Sequence, residues 1–185
     1  MPIHKTTPAE IIKQSIVVFR ANGYYRTTMN DLAHATGLTK GVFYHHFTNK
    51  EDVMKKALQA TSFWFDKHIF SIAEDELLPA QQRLIQMTDV LYNAFTRSTG
   101  GCFFANTILE TAHVEDTFLP EINYFFQRFD NALSLIFKGK YQGVELENVV
   151  QQTIAEIEGT IILMQLKKDP SLLKKALNNV LTKLD

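Results

Sequence analysis

The 185-residue sequence predicts an all-α protein with a small N-terminal helical domain and a larger C-terminal helical bundle. Apolar residues recur at spacings of three and four along nearly the whole chain, and no segment sustains the alternation typical of a strand. Helix-capping residues precede many of these periodic segments, and glycine or proline follows many of them. Eight glycines and five prolines leave little of the chain for linkers.

The first helix is predicted to begin at Thr7 and to end at Gly23. Thr7 serves as the N-cap, Pro8 takes the first helical position, and Glu10 completes a capping box. Ile12 and the apolar residues after it follow at helical spacing, and Gly23 suits the left-handed position that ends a helix.

Two short helices with a tight turn between them are predicted next. Thr27 or Thr28 caps the second helix, Gly37 breaks it, and Thr39 caps a third helix that runs to Phe47. Two short helices joined in this way form a helix-turn-helix, whose second helix enters the major groove of DNA.

The rest of the chain is predicted to be helical as well. Asn49 caps a long fourth helix that continues to about Ile72, with Glu51 and Asp52 in the first turn as the helix dipole prefers. Further helices are predicted at about 79–95, 102–113, 120–139, 146–166 and 170–184.

Composition indicates a globular protein of the cytoplasm. The single cysteine excludes a disulfide framework within the chain, no apolar segment suggests a signal peptide, and no aliphatic run approaches the length of a membrane helix. Residues 1–60 carry eight Lys or Arg against four Asp or Glu, a formal +4, whereas residues 61–185 carry a formal −5. This asymmetry favours a basic module for a polyanion beside an acidic module with another task.

The third helix is predicted to bury one side and to present the other to nucleic acid. Phe43 and Phe47 are one helical turn apart and anchor the helix to the N-terminal core. The residues on the free side are Lys40, Gly41, Tyr44 and His45.

The segment TTMNDLAHATGLTKGVFYHHFTNKEDV, residues 27–53, resembles the DNA-binding domain of TetR-type transcriptional regulators. The likeness lies in the paired threonines, the Ala-x-x-x-Gly before the turn, the Tyr-x-His-Phe of the third helix and the Asn-Lys-Glu after it. It covers about residues 8–55. Glu158-Gly159 and Asp169-Pro170-x-x-Leu173 are loosely similar to the C-terminal domain of the family.

The resemblance implies a DNA-binding domain over residues 1–50, with the helix-turn-helix at about 28–47, and a ligand-binding and dimerisation domain over 51–185. It further implies a homodimer on a palindromic double-stranded DNA operator and a small-molecule effector in the C-terminal bundle. No cofactor is expected.

Specific DNA contacts follow from residue chemistry. Lys40 reaches a guanine edge or a phosphate, Val42 meets a thymine methyl group, and Tyr44 donates to a phosphate. The predicted contact set is Thr28, Thr39, Lys40, Gly41, Val42, Tyr44, His45 and Lys50. For His46, packing and DNA contact remain open alternatives. A metal site at the His45–His46 pair is not expected, because adjacent helical side chains diverge by about 100°.

The C-terminal part is rich in aromatic residues, with eleven of the fourteen phenylalanines after residue 60. Aromatic side chains on several faces of a helix suit a hydrophobic ligand pocket, although core and dimer packing is the alternative for any single ring. The predicted ligand-binding residues are Trp64, Tyr92, Phe95, Cys102, Phe103, Asn106, Tyr124 and Phe125.

Cys102 has two open interpretations. At a helix N-terminus the thiol can become a reactive thiolate that senses electrophiles, a role suggested by the likeness to some TetR-type proteins. The favoured interpretation is a small buried apolar residue.

The penultimate helix is predicted to pair with its copy across a two-fold axis, where Gly159 permits close approach. Two such helices from each subunit make a four-helix bundle. The predicted interface residues are Ile154, Ile157, Gly159, Ile161 and Met164.

Together these features predict a ligand-responsive DNA-binding regulator, a repressor rather than an activator. An enzyme is not expected, because the sequence has no phosphate-binding glycine loop, nucleophile elbow, metal-ligand spacing or paired catalytic carboxylates. A helical carrier or interaction module with a degenerate helix-turn-helix is the alternative.

Overall fold

The computed structural model describes residues 7–185, and its regular secondary structure in that range is entirely helical, which confirms the predicted fold class. No helix within the described range has the length and apolar composition to cross a membrane. The helices are α1 (Pro8–Asn22), α2 (Met29–Ala35), α3 (Lys40–His46), α4 (Lys50–Phe65), α5 (Ser71–Glu74), α6 (Ala80–Thr96), α7 (Phe103–Thr111), α8 (Leu119–Phe137), α9 (Gly143–Lys167) and α10 (Ser171–Thr182).

The helix starts follow from local capping. At α1 the Thr7 hydroxyl accepts from the Glu10 amide at 3.3 Å, and the Glu10 carboxylate accepts from the Thr7 amide at 2.7 Å. Thr28 and Asp31 form the same reciprocal pair at α2, which decides between the two candidate caps. Because each cap involves residues three apart, the sequence alone locates these starts.

The fourth helix is less regular than predicted. After Phe65 the rod continues as a π-helical segment, Asp66–Phe70, before α5 resumes the α-helical pattern. Arg128 of α8 ties the two ends of this stretch together, with Nε 2.7 Å from Asp66 and a terminal nitrogen 2.7 Å from Glu74. This bridge joins residues more than fifty positions apart, so no local pattern indicates it.

The chain forms two compact units. The first contains the chain up to Ser62 together with Phe103–Ile122, and the second contains Phe63–Cys102 together with Asn123–Asp185. Each unit therefore combines two segments that are separated in the sequence. The domain division after residue 50 stays a prediction. Helix α4 begins in the first unit and ends in the second.

The core of the first unit forms where α1 packs on α2 and α2 packs on α3. The buried side chains of this unit include Ile11, Phe19, Leu32, Phe43, Phe47, Met54, Leu58, Phe103, Phe104 and Phe118. This small three-helix arrangement gives α3 a firm inner side while its outer side stays open.

An aromatic cluster fills the second unit. The Phe65 ring lies 5.0 Å from that of Phe125 and 6.1 Å from that of Phe95, and Phe70 stacks on Phe129 at 5.5 Å. Such ring pairs add to the free energy gained from burial of their area. Helix α10 packs on both α6 and α9 and closes the unit.

Candidate nucleic-acid interface and effector region

The recognition-helix candidate α3 is fixed by two phenylalanines. Phe43 is 0% exposed and Phe47 3%, and their ring centroids lie 5.1 Å apart. The Thr39 hydroxyl accepts from the Val42 amide at 3.4 Å and caps the start of the helix. Burial of both rings leaves the opposite side of α3 in solvent.

The outer side of α3 carries polar, cationic and small residues. Lys40 and His45 are exposed, Tyr44 is 44% exposed, and the Lys40 ammonium lies 6.0 Å from the centre of the Tyr44 ring. Val42 is also exposed. A Cβ placed on Gly41 would meet no atom within 4 Å, so the chain itself does not require glycine there. A ligand that approaches the backbone closely would require it.

The caps of α2 and α3 carry the two predicted threonine contacts. The hydroxyls of Thr28 and Thr39 are exposed and already hydrogen-bonded to the first turns of their own helices. Each hydroxyl keeps lone-pair and donor capacity for a second partner.

Lys50 is turned toward the protein. Its ammonium donates to the Tyr24 carbonyl at 2.8 Å and lies 4.2 Å from the centre of the Tyr24 ring. Burial lowers the pKa of Lys50, while Glu110 and Glu115 oppose this shift. A phosphate contact by Lys50 therefore requires the ammonium to share or leave the Tyr24 carbonyl.

His46 is exposed, with its ring 6.2 Å from that of Phe47.

The predicted ligand residues separate into three groups. Phe95 and Phe125 belong to the packed aromatic cluster, with Tyr92 half-buried on the same helix as Phe95. Trp64 and Tyr124 are exposed. Phe103 and Asn106 belong to the first unit.

Local contacts hold the two exposed rings in place. Trp64 stacks on His68 at 4.8 Å, and the Tyr124 hydroxyl donates to Asp66 at 3.0 Å. Phe65 and Phe70 also join the cluster but are absent from the predicted ligand set. The Phe-Trp-Phe run at 63–65 was the available signal for Phe65.

Cys102 is 4% exposed and hydrogen-bonds to Glu158. Burial raises the pKa of the Glu158 carboxyl, and the hydrogen bond from the thiol partly lowers it. A thiolate beside a carboxylate would suffer like-charge repulsion, so this surrounding does not favour the reactive form. The geometry supports the packing interpretation of Cys102.

Helix α9 divides its apolar residues between two sides. Ile157 and Ile161 are each 1% exposed, and Met164 is buried beside them in the second unit. All three of these predicted interface residues pack in the chain's own core, and their role in a dimer interface stays a prediction. The side left open is a stripe at helical spacing, Ala155, Gly159, Ile162 and Leu166, which we call the open α9 stripe.

A groove of about 610 Å³ runs along α8 and α9 beside this stripe. Ile154 lines it, together with the α8 side chains Asn123, Phe126, Gln127, Asp130 and Asn131 and the α9 side chains Gln151 and Ala155. Its lining mixes apolar and polar atoms, as an interface between protein surfaces does.

Comparison with known proteins agrees with this geometry. The family model of bacterial regulatory proteins, tetR family, matches residues 11–57, the part of the chain that holds α2 and α3. The HTH-type transcriptional repressor DhaR from Mycobacterium sp. (strain GP1) is 23% identical over 165 residues, covering 86% of this chain and 82% of that protein.

Solved structures share the fold over nearly the whole length. A TetR transcriptional regulator from Legionella pneumophila superposes with a TM-score of 0.84 at 18% identity, covering 97% of both chains. The transcriptional regulator FadR from Bacillus subtilis, solved in complex with stearoyl-CoA, superposes with a TM-score of 0.77 at 17% identity, covering 96% of this chain and 99% of that one.

Proposed function

Because the chain belongs to the TetR family of bacterial regulatory proteins, we propose that it is a ligand-responsive transcriptional repressor that binds a palindromic DNA operator as a homodimer. The observation that carries the proposal is α3: a short helix anchored by Phe43 and Phe47, with a polar and cationic outer side free to enter a major groove.

Each exposed residue of α3 has a distinct task on DNA. Lys40, in the first helical turn, reaches a guanine edge or a phosphate, and Gly41 lets the helix backbone approach the groove floor. Val42 meets a thymine methyl group. Tyr44 and His45 contact the DNA backbone. The hydroxyls of Thr28 and Thr39 are further hydrogen-bond donors to its phosphates. Lys50 reaches a phosphate by sharing its ammonium with the Tyr24 carbonyl or by releasing that carbonyl.

The open α9 stripe and the α8–α9 groove support a two-fold dimer. A second copy would bring the same stripe against itself and form a four-helix bundle from two helices of each subunit. Gly159 has open space where a Cβ would stand, which allows close helix approach across the axis. Such a dimer sets two recognition helices about 34–36 Å apart, one turn of duplex.

A hydrophobic effector in the second unit would release the operator. The aromatic cluster around Phe65 supplies apolar surface, and the FadR relative holds an acyl-CoA in its structure. Helix α4 runs from Lys50 in the first unit to Phe65 in that cluster. A ligand that binds better to one tilt of α4 shifts the dimer toward the state with mismatched half-site spacing. Because Cys102 is buried, an electrophilic effector is less well supported than a hydrophobic one.

Selection of duplexes from a random-sequence pool by the full-length protein tests this function. We expect a palindromic sequence to be recovered and its affinity to fall steeply with salt, because phosphate contacts release counterions. Recovery of no duplex would instead favour the helical carrier with a degenerate helix-turn-helix. Repeating the selection in a thiol-alkylating agent tests Cys102, and an unchanged yield supports its packing role.

A further inference from the structure

The carboxylate of Glu110 holds the turn between α1 and α2. One of its oxygens accepts from the Tyr24 amide and the other from the Tyr25 amide, each at 2.8 Å. Both donors are backbone groups, so the link does not depend on the side chains at positions 24 and 25. Hydrogen bonds to an ionised carboxylate are shorter and stronger than neutral ones.

Gly23 leaves room for this carboxylate. Its φ of +78° favours glycine, and a Cβ placed there would lie 2.7 Å and 2.9 Å from the two oxygens of Glu110. Any side chain at position 23 would therefore displace the carboxylate as well as strain the backbone. The turn and the carboxylate are fitted to each other.

Helix electrostatics do not explain why an acid stands at position 110. Glu110 lies in the last turn of α7, where the helix dipole disfavours negative charge. The end of α1, which the carboxylate also approaches, has the same polarity. The two hydrogen bonds from the backbone amides of Tyr24 and Tyr25 compensate for this. The Lys50 ammonium is also near enough for the Glu110 charge to raise the pKa of Lys50.

The turn that Glu110 holds leads directly into the helix-turn-helix. The Tyr24 carbonyl accepts from Lys50, the first residue of α4, while the Tyr24 ring packs on Phe118 at 4.8 Å. Two residues past Tyr25, the buried Thr27 donates to the Gly23 carbonyl at 2.6 Å, and Thr28 then caps α2. Because α2 packs on α3, the position of the turn sets the position of the recognition helix.

We propose that Glu110 is a positioning residue for operator binding, which orients α2 and α3 through the two backbone amides without touching DNA. The inference rests on the proposed function. A residue of α7, which lies far from the DNA-binding motif in the sequence, would thus contribute to operator affinity.

The test compares Glu110→Gln with Glu115→Gln on the duplex that the wild-type protein selects. Glu115 lies close by and accepts from the side-chain hydroxyls of Tyr25 at 3.4 Å and Thr117 at 3.0 Å, without a bond to a backbone amide among the described residues. Each variant removes one negative charge near the DNA-binding unit, which by electrostatics alone strengthens binding. We expect Glu110→Gln to weaken binding about tenfold, because the side-chain nitrogen that replaces one carboxylate oxygen is a donor and cannot accept from the backbone N–H group that it faces. Glu115→Gln should bind as tightly as the wild type or slightly more tightly.

Two further readouts separate positioning from stability. Glu110→Gln should keep the wild-type salt dependence, because no phosphate contact is lost. A merely structural role would lower the melting temperature and the active fraction, leaving the Kd of the folded fraction unchanged. A Glu110→Gln variant that binds as tightly as Glu115→Gln overturns the inference and leaves the proposed function intact. A wild-type protein that selects no duplex overturns both.

Amide hydrogen exchange tests the clamp in the wild-type protein, independently of any variant. The Tyr24 and Tyr25 amides follow the end of α1 and precede α2, so the carboxylate is their hydrogen-bond acceptor. We expect both to be protected well above the exposed neighbours in the same turn. Exchange of both amides at the rate of an unstructured peptide would overturn the proposal even if Glu110→Gln failed to fold.

Discussion

Helices α3 and α9 are built alike and differ in what they leave exposed. Each buries one side, through Phe43 and Phe47 in α3 and through Ile157 and Ile161 in α9. The exposed side of α3 carries lysine, tyrosine and histidine, whereas that of α9 carries alanine, glycine, isoleucine and leucine. Buried residues therefore fix where a helix lies, and exposed residues indicate its partner: a polyanion for α3 and a second apolar surface for α9.

Removing the anchor of α3 should have the largest effect. Phe43→Ala is expected to lower the free energy of unfolding by about 3–5 kcal/mol, because a fully buried ring leaves a cavity. Urea unfolding measures this. Val42→Ala, on the exposed side of the same helix, should change the value by about 0.5 kcal/mol or less. Equal effects of the two variants would contradict the anchored geometry.

Placing a charge on the open α9 stripe should dissociate the dimer. Ile162 is 57% exposed in the single chain, so Ile162→Glu leaves the fold of the subunit intact. Across a two-fold axis the substitution puts two carboxylates into the seam, and we expect the dimer Kd to rise about a hundredfold or more. Sedimentation velocity over a concentration series measures this change.

The control for that experiment is Leu77→Glu. Leu77 is 95% exposed in the connection between α5 and α6, away from the stripe. It tests whether any charge on an exposed apolar residue weakens association. If both variants remain dimeric at the concentrations where the wild type does, the dimer uses another surface.

Removing a cation from α3 should weaken operator binding by a smaller factor. Lys40→Ala is expected to raise the Kd for the selected duplex about tenfold and, if the ammonium meets a phosphate, to lower the salt slope by about one. Fluorescence anisotropy at several salt concentrations measures both. Lys13→Ala, which removes another exposed cation, on α1, should leave the slope unchanged. An unaltered Kd for Lys40→Ala refutes the contact assignment.

The sequence was informative where the physics is local. Capping at Thr7, Thr28 and Asn49 involves residues three apart, and the Phe43–Phe47 pair involves one helical turn, so both could be predicted. These features define the helix-turn-helix. Within α3, they leave the outer side open to a partner.

The features that could not be predicted from the sequence depend on long-range contacts. The Glu110 bonds span 85 and 86 residues, and the bridge from Arg128 to Asp66 spans 62. For α9 the periodicity correctly indicated an apolar helix but could not tell which of two apolar sides faces its own subunit. That choice depends on the packing of α10 and the other helices of the second unit.

The smallest effect concerns Glu158 of α9, which accepts a hydrogen bond from the Cys102 thiol. Burial raises the pKa of Glu158, so the folded state binds its proton more tightly than the unfolded state does. The penalty on folding grows as the pH rises above the ordinary value of 4.5, is complete above the raised folded-state pKa, and disappears below 4.5. Glu158→Gln should therefore raise the melting temperature by a few degrees at pH 8 and by less at pH 4.5.

Glu156→Gln, two positions away on the same helix, is the matched control with the opposite sign. Glu156 accepts from the Lys183 ammonium at 3.1 Å in a partly exposed ion pair, so its loss should lower the melting temperature slightly at pH 8. Opposite signs for the two neighbouring acids would show that Glu158 is partly desolvated beside the Cys102 thiol, whereas Glu156 is held in an ion pair. If both variants shift the melting temperature in the same direction, that description of Glu158 is wrong.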